Sequence, residues 1–256
     1  MNFLNIDSAA TLLYGVMLLA GVISVIPALT LHEWAHAAMA NRLGDPTARM
    51  LGRMSINPLV HIDPIGTVLF PIGLLVISLL TFGAPFTFGW AKPVPFNPRY
   101  LKNPKRDTAL VGIAGPAMNV LLFIAAAFVF AVLKLVNSSL VMTTAVTGQI
   151  TGLTILGWAI ALFCYINLLL CFFNLLPIPP FDGSRIVQKF LRGQARQWYA
   201  QLEPYGMWIV VGLLFVLPMM TGGMLDPIRM YFGITVWPIF ELLMGVPVNA
   251  IFTLPF

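Results

Sequence analysis

Two histidines and a glutamate, His32, Glu33 and His36, stand within the stretch TLHEWAHA (30–37) of a 256-residue chain that is 59% hydrophobic and only 9% charged. On a helix, residues four apart project from one face. Both imidazoles can then reach one ion at the roughly 2.0 to 2.1 Å that zinc prefers. Glu33 lies beside them without having to be a ligand. This is the H-E-x-x-H arrangement, in which the glutamate acts as general base on water activated by the metal. The setting sharpens the reading, because an ionisable side chain in an apolar span costs about 2.5 to 3.5 kcal/mol on insertion scales. A divalent cation offsets that cost and favours deprotonated ligands. The competing reading is a pair of core histidines bonded to backbone carbonyls, with Glu33 as their ion-pair partner.

A catalytic zinc usually takes three protein ligands and leaves a fourth position for water. Asp182, in NLLPIPPFDGSRI, is one candidate for the third. Pro177, Pro179 and Pro180 cannot continue a regular helix, so the chain unwinds there and can turn a carboxylate back toward the bundle, while Gly183 permits a backbone conformation that a side chain would block. The alternative is that Asp182 caps a helix starting near Ser184. His61, in NPLVHIDP and followed by Asp63, is the rival third ligand.

The elements that must position these groups are hydrophobic spans. The mean hydropathy is +0.90, and several mostly apolar runs of about 18 or more residues are long enough to cross a hydrocarbon core. The sequence predicts an all-α integral membrane protein, a polytopic bundle of about five to six spans at 11–43, 108–135, 150–176, 199–220 and, less regularly, 232–254. That last segment suits a final span, a re-entrant lid or an interfacial helix. The N-terminus lacks the Lys or Arg of a signal peptide and no small-residue cleavage site follows, so the first helix is expected to remain in the mature protein. Cys164 and Cys171 share one apolar run, too far apart along a helix for a disulfide, and read as packing residues.

The net charge of +5 sits in short clusters between apolar runs, a pattern of membrane topology that argues against a nucleic-acid partner. The clusters are Arg42, Arg49 and Arg53; Lys92, Arg99, Lys102, Lys105 and Arg106; and Arg185, Lys189, Arg192 and Arg196. By the positive-inside rule all three are cytoplasmic, and the Lys- and Arg-free segments 1–10 and 137–150 are outside. A single crossing by the apolar run 64–82 would put the first two clusters on opposite sides. Residues 54–100 are therefore expected to enter and leave on the cytoplasmic side with no regular span. The part APFTFGWAKPVPFNP, with its alternating prolines and glycines, suits an extended edge strand bordering a wet cavity. No repeat, low-complexity tract or separate soluble domain is visible, so residues 1–256 read as one transmembrane domain.

HEWAH at 32–36 and NLLPIPPFDG at 174–183, supported by GRMSINPLVHIDPIGT, GWAKPVPFNP and AGPAMN (114–119), resemble the site-2 protease family of intramembrane zinc metalloproteases. The resemblance covers most of residues 15–195. It implies one zinc ion held by His32, His36 and Asp182, with Glu33 activating water, and favours ligation over capping for Asp182. In such proteases the helix bearing G-P-x-x-N packs between the two metal-binding helices. Asn119 then becomes a candidate to bond substrate backbone or the surroundings of the zinc, and Asn174 and His61 are further candidates to support the site. Ala35 stands where the family often has Gly, and no PDZ or nucleotide-sensing domain has room in the sequence.

The expected activity is hydrolysis of peptide bonds within or near transmembrane helices of membrane-protein substrates. The substrate would unwind and lie against an edge strand from GWAKPVPFNP. The expected setting is the lipid bilayer of a prokaryotic inner or cell membrane, with the active site toward the cytoplasm. The sequence sets no oligomeric state. The alternative is a divalent-metal transporter or channel using the same ligands, which would need further polar residues on facing helices. After Asp182 the acidic residues are Glu203, Asp226 and Glu241, and none repeats the pattern.

Overall fold

A computed structural model describes residues 8–82, 89–136 and 152–249. Among them the chain is helical and forms no strand. The principal elements are α1 (Ser8–Arg42), α2 (Thr47–Met50), α3 (Phe70–Phe82), α4 (Pro104–Val136), α5 (Gly152–Asn174), α6 (Asp182–Phe190), α7 (Gly193–Met220) and α8 (Pro227–Met244). Among the described residues α4, the Ile155–Asn174 part of α5, and α7 are long and apolar enough to cross a membrane. Their outward faces carry large apolar side chains, including Leu121, Ile124 and Phe128 on α4. A water-soluble surface rarely gathers so much apolar area in one patch. The chain is an integral membrane protein.

The helices overlap the expected spans, of which α4, α5 and α7 alone among the described residues have the length and hydropathy of a crossing, and α8 starts and ends before the expected 232–254; two segments differ further. The apolar run 64–82, expected to hold no regular span, is helical: a wide π-type turn at Pro64–Leu69 leads into α3. Asp63 starts it by accepting the backbone N–H groups of Ile65 and Gly66, and the apolar helix that follows is still shorter than a span. Second, residues 89–97 form an irregular strap that joins no strand. Pro93 and Pro95 have no N–H to offer a ladder, and the Val94 N–H is used elsewhere. Residues 83–88, the rest of the expected edge strand, lie outside the described residues, as does the 137–150 segment expected on the outer side.

α4 is the central element, packing against α1, α5 and α6. One core joins Phe123 and Phe130 of α4, Leu162, Tyr165 and Leu168 of α5, and Val236, Phe240 and Met244 of α8. Cys164 and Cys171 are buried and free, as packing residues should be. A second core, Leu176, Phe181, Val210 and Ile228, lies under the turn between α5 and α6. Here α7 presses so closely that a Cβ on Gly206 would coincide with the Pro179 carbonyl. The Tyr199 hydroxyl also donates to the Pro177 carbonyl at 2.8 Å.

Candidate metal centre

α1 carries His32 and His36 one turn apart on its buried face. α5 stops at Asn174, the prolines carry the chain through a turn, and α6 begins at Asp182. Gly183 is needed in that turn because a Cβ would run into the Leu175 and Leu176 carbonyls. Asp182 is the first residue of α6 and Phe181 takes the cap position, so the expected capping role does not arise. Its Oδ2 instead lies 3.0 Å from His36 Nε2 and 3.2 Å from His32 Nε2, and the two Nε2 atoms are 3.0 Å apart. All three residues are buried.

The hydrogen-bond network sets the tautomers. His36 Nδ1 donates to the Val111 carbonyl at 2.6 Å. Asn119 Nδ2 donates to the Ala28 carbonyl and to Asn167 Oδ1, so its Oδ1 faces His32 and accepts from His32 Nδ1 at 2.6 Å. With both Nδ1 atoms protonated, each Nε2 presents a lone pair. Three electron-pair donors then converge, all within 4.8 Å of one another. A shared proton would satisfy one of the three contacts, whereas a divalent cation satisfies all of them. The separations are close to the edge of about 3.3 Å that 2.0 to 2.1 Å bonds subtend at a tetrahedral zinc. The site is closed from the α4 side by Gly115, where a Cβ would stand 2.5 Å from His32 Nε2 and closer still to His36 Nε2. The residues therefore fit a zinc ion, and the histidines have the outer-shell acceptors that fix ligating imidazoles.

Glu33 lies outside the trio and accepts the Val94 N–H on Oε2 at 2.9 Å. The strap that supplies this N–H is tied down along its length. Arg53 donates to the carbonyls of Val60, Lys92 and Pro93, the fully buried Asp45 accepts the Asn97 N–H at 2.5 Å, and Val94 packs on Ala37 and Ala48. On the other side of the site Arg185 donates to Asp182 Oδ1 at 3.2 Å, and its guanidinium lies 4.9 Å above the Phe96 ring.

His61 and Asn174 are not in the group. His61 is buried, donates Nε2–H to the Ser55 carbonyl at 2.8 Å, and accepts the Lys92 N–H on its own carbonyl. Asn174 donates to the Leu170 carbonyl of its own helix. Sequence reasoning missed Asn167, Asp45 and Arg185. Asn167 was signalled by an amide in the apolar run FCYINLLL, and Asp45 by its position next to Pro46 at the end of α1.

An ion site of this composition, with an adjacent carboxylate outside the ligand trio and walls of apolar helices, defines a metal-dependent hydrolase that works inside a membrane. The comparison with known proteins agrees. Residues 20–218 match Peptidase family M50. The chain belongs to that family, the site-2 proteases its motifs resemble. It is similar to YwhC of Bacillus subtilis, described as a candidate zinc metalloprotease, at 37% identity over 77% of this chain and 80% of that protein. Two proteins called Rip2 carry the same description. That of Mycolicibacterium smegmatis is 30% identical over 73% of this chain and 62% of its own length. That of Mycobacterium tuberculosis is 26% identical over 89% and 74%. No solved structure matches. None of the matches supports the metal-transport alternative.

Proposed function

We propose that the chain cleaves peptide bonds within or near the transmembrane helices of other membrane proteins, using one zinc ion held by His32, His36 and Asp182 and Glu33 as general base. The enzyme is an intramembrane zinc metalloprotease. The observation that carries the residue roles is the convergence of two imidazole Nε2 atoms and a carboxylate oxygen in a buried site. When bound, zinc supplies a Lewis acid that polarises the scissile carbonyl and acidifies water.

The protein's own groups do the rest. Val111 and Asn119 hold the two rings in the tautomer that points Nε2 inward. Glu33 takes the proton from the attacking water and passes it to the leaving amine. The Val94 N–H is held by Oε2, which leaves Oε1 to carry the proton. The strap backbone of residues 89–97, which joins no strand, is the segment that would offer its polar groups to an unwound substrate in the manner of strand addition. Unwinding is required because helical amides are shielded and internally bonded. His61 and Asn174 support the site at one remove, His61 by holding the 55–61 turn to Lys92.

The chain forms a single membrane domain of five to six passes, with residues 54–100 entering and leaving on the cytoplasmic side. The positive clusters that follow the site residues in sequence, Arg42, Arg49 and Arg53 after His36 and Arg185 and Lys189 after Asp182, support a site facing the cytoplasm of a prokaryotic cell. Purified Glu33→Gln protein tests the assignment. Loss of reporter cleavage with one zinc retained is expected, and cleavage at the parental rate would overturn it.

A further inference from the structure

Asp182 uses one carboxylate oxygen toward the histidines and the other toward Arg185. The two oxygens therefore have different tasks, and the guanidinium decides which one faces the ion. Arg185 sits three residues on from Asp182 in the first turn of α6, so its reach to Oδ1 is short. Its side chain is 26% exposed. Gly112 of α4 leaves the room: a Cβ there would stand 3.2 Å from Arg185 Cβ and 3.1 Å from the Asp182 carbonyl oxygen. The far face of the guanidinium lies on the ring of Phe96, which belongs to the strap. One strap segment thus touches the site twice, through the Val94 N–H on Glu33 and through Phe96 on Arg185.

We propose that Arg185 is a positioning residue that fixes the Asp182 carboxylate toward the metal, and that Phe96 holds Arg185 in place so that metal affinity depends on whether the strap is closed. The inference rests on Asp182 being a metal ligand. Outer-shell partners of this kind are worth about 10- to 100-fold in metal affinity. A cation–π contact at a partly exposed site is worth less, about 2- to 5-fold. Because affinity and strap position share one coupling, a substrate that draws Phe96 off Arg185 loosens the ion by the factor through which the ion favours the closed strap.

The test is zinc affinity of full-length protein in detergent, measured by competition with a chromogenic chelator for the parent, Arg185→Leu, Arg185→Lys, Phe96→Leu and the Arg185→Leu/Phe96→Leu double variant. Arg185→Leu is expected to bind zinc about 10- to 100-fold more weakly, with the melting temperature of the metal-free protein unchanged. Phe96→Leu should lose about 2- to 5-fold, and nothing further once Arg185 is gone. Should Arg185→Leu fail to fold, Arg185→Lys decides. Lysine keeps the charge and a donor for Oδ1 but cannot lie flat on the Phe96 ring, so weaker binding supports the proposal and parental binding overturns it. Parental affinity in Arg185→Leu, or an equal effect of Phe96→Leu in both backgrounds, overturns it while leaving the metal site standing. A parent that binds no zinc overturns both.

Discussion

Replacing Gly115 by alanine adds one methyl group at the place where the two imidazoles and the carboxylate meet. That methyl carbon would stand 2.5 Å from His32 Nε2 and 2.6 Å from His32 Cε1, whereas ordinary contact begins at 3.4 Å. The nearest ring atom, His36 Nε2, must therefore retreat by about 1.0 Å and His32 Nε2 by about 0.9 Å, the shortfall of each from 3.4 Å. Ligand distances at a metal tolerate about 0.2 Å. Yet the helix itself gains, since alanine is favoured over glycine in a helix interior by about 0.5 to 1 kcal/mol. The expected result separates site from fold. Zinc affinity should fall by more than about 100-fold, beyond the range of outer-shell substitutions. Reporter cleavage should vanish, while the protein should stay folded and monodisperse with a modestly lowered melting temperature, since overpacking costs about 1 to 3 kcal/mol against that helix gain. Gly21→Ala, where the added methyl meets nothing within 4 Å, should leave both properties at the parental level. Metal content by elemental analysis, reporter cleavage and scanning fluorimetry read all three. A Gly115→Ala enzyme with full zinc and the parental rate would show that the trio does not hold the ion.

Further outcomes follow from other contacts. Asn119→Ala removes the acceptor of the His32 ring and two interhelical bonds, so chelator competition should show zinc affinity lowered about 10- to 100-fold. Asp45→Ala leaves the Thr47 and Asn97 N–H groups without their carboxylate, and a stability loss of about 1 to 3 kcal/mol is expected in denaturation. Gly206→Ala forces α7 off the Pro179 carbonyl, which should cost about 1 to 3 kcal/mol and lower the melting temperature without changing the four-residue spacing of the histidines. Dialysis against a chelator should abolish cleavage, and zinc should restore it.

The histidine pair was legible because helical periodicity alone puts two residues four apart on one face. Asp182 was legible because prolines have only a few ways to end a span, although the same residues also fitted a cap. Arg185 was read as one more cytoplasmic charge. Its bond to Asp182 depends on how α6 is set against α4, which no local pattern encodes. Asn167 was lost in an apolar run, since an amide there has as many reasons to bond its own helix as another. The strap shows the reverse problem. Its prolines announced extended backbone, but the sequence did not say that the Val94 N–H would find a carboxylate on α1 rather than a neighbouring strand. The helix at 70–82 was missed because charge counting concerns sides of the membrane, and a short helix can enter and return without changing sides.

One side-chain amide, that of Asn119, grips α1 at both His32 and Ala28 while also holding α5 through Asn167. Sliding any of these three helices past the others would strand polar groups in hydrocarbon, so the trio behaves as one rigid wedge. For the proposed protease this would close that seam to a polypeptide arriving sideways from the lipid and leave the flank covered by the strap as its route.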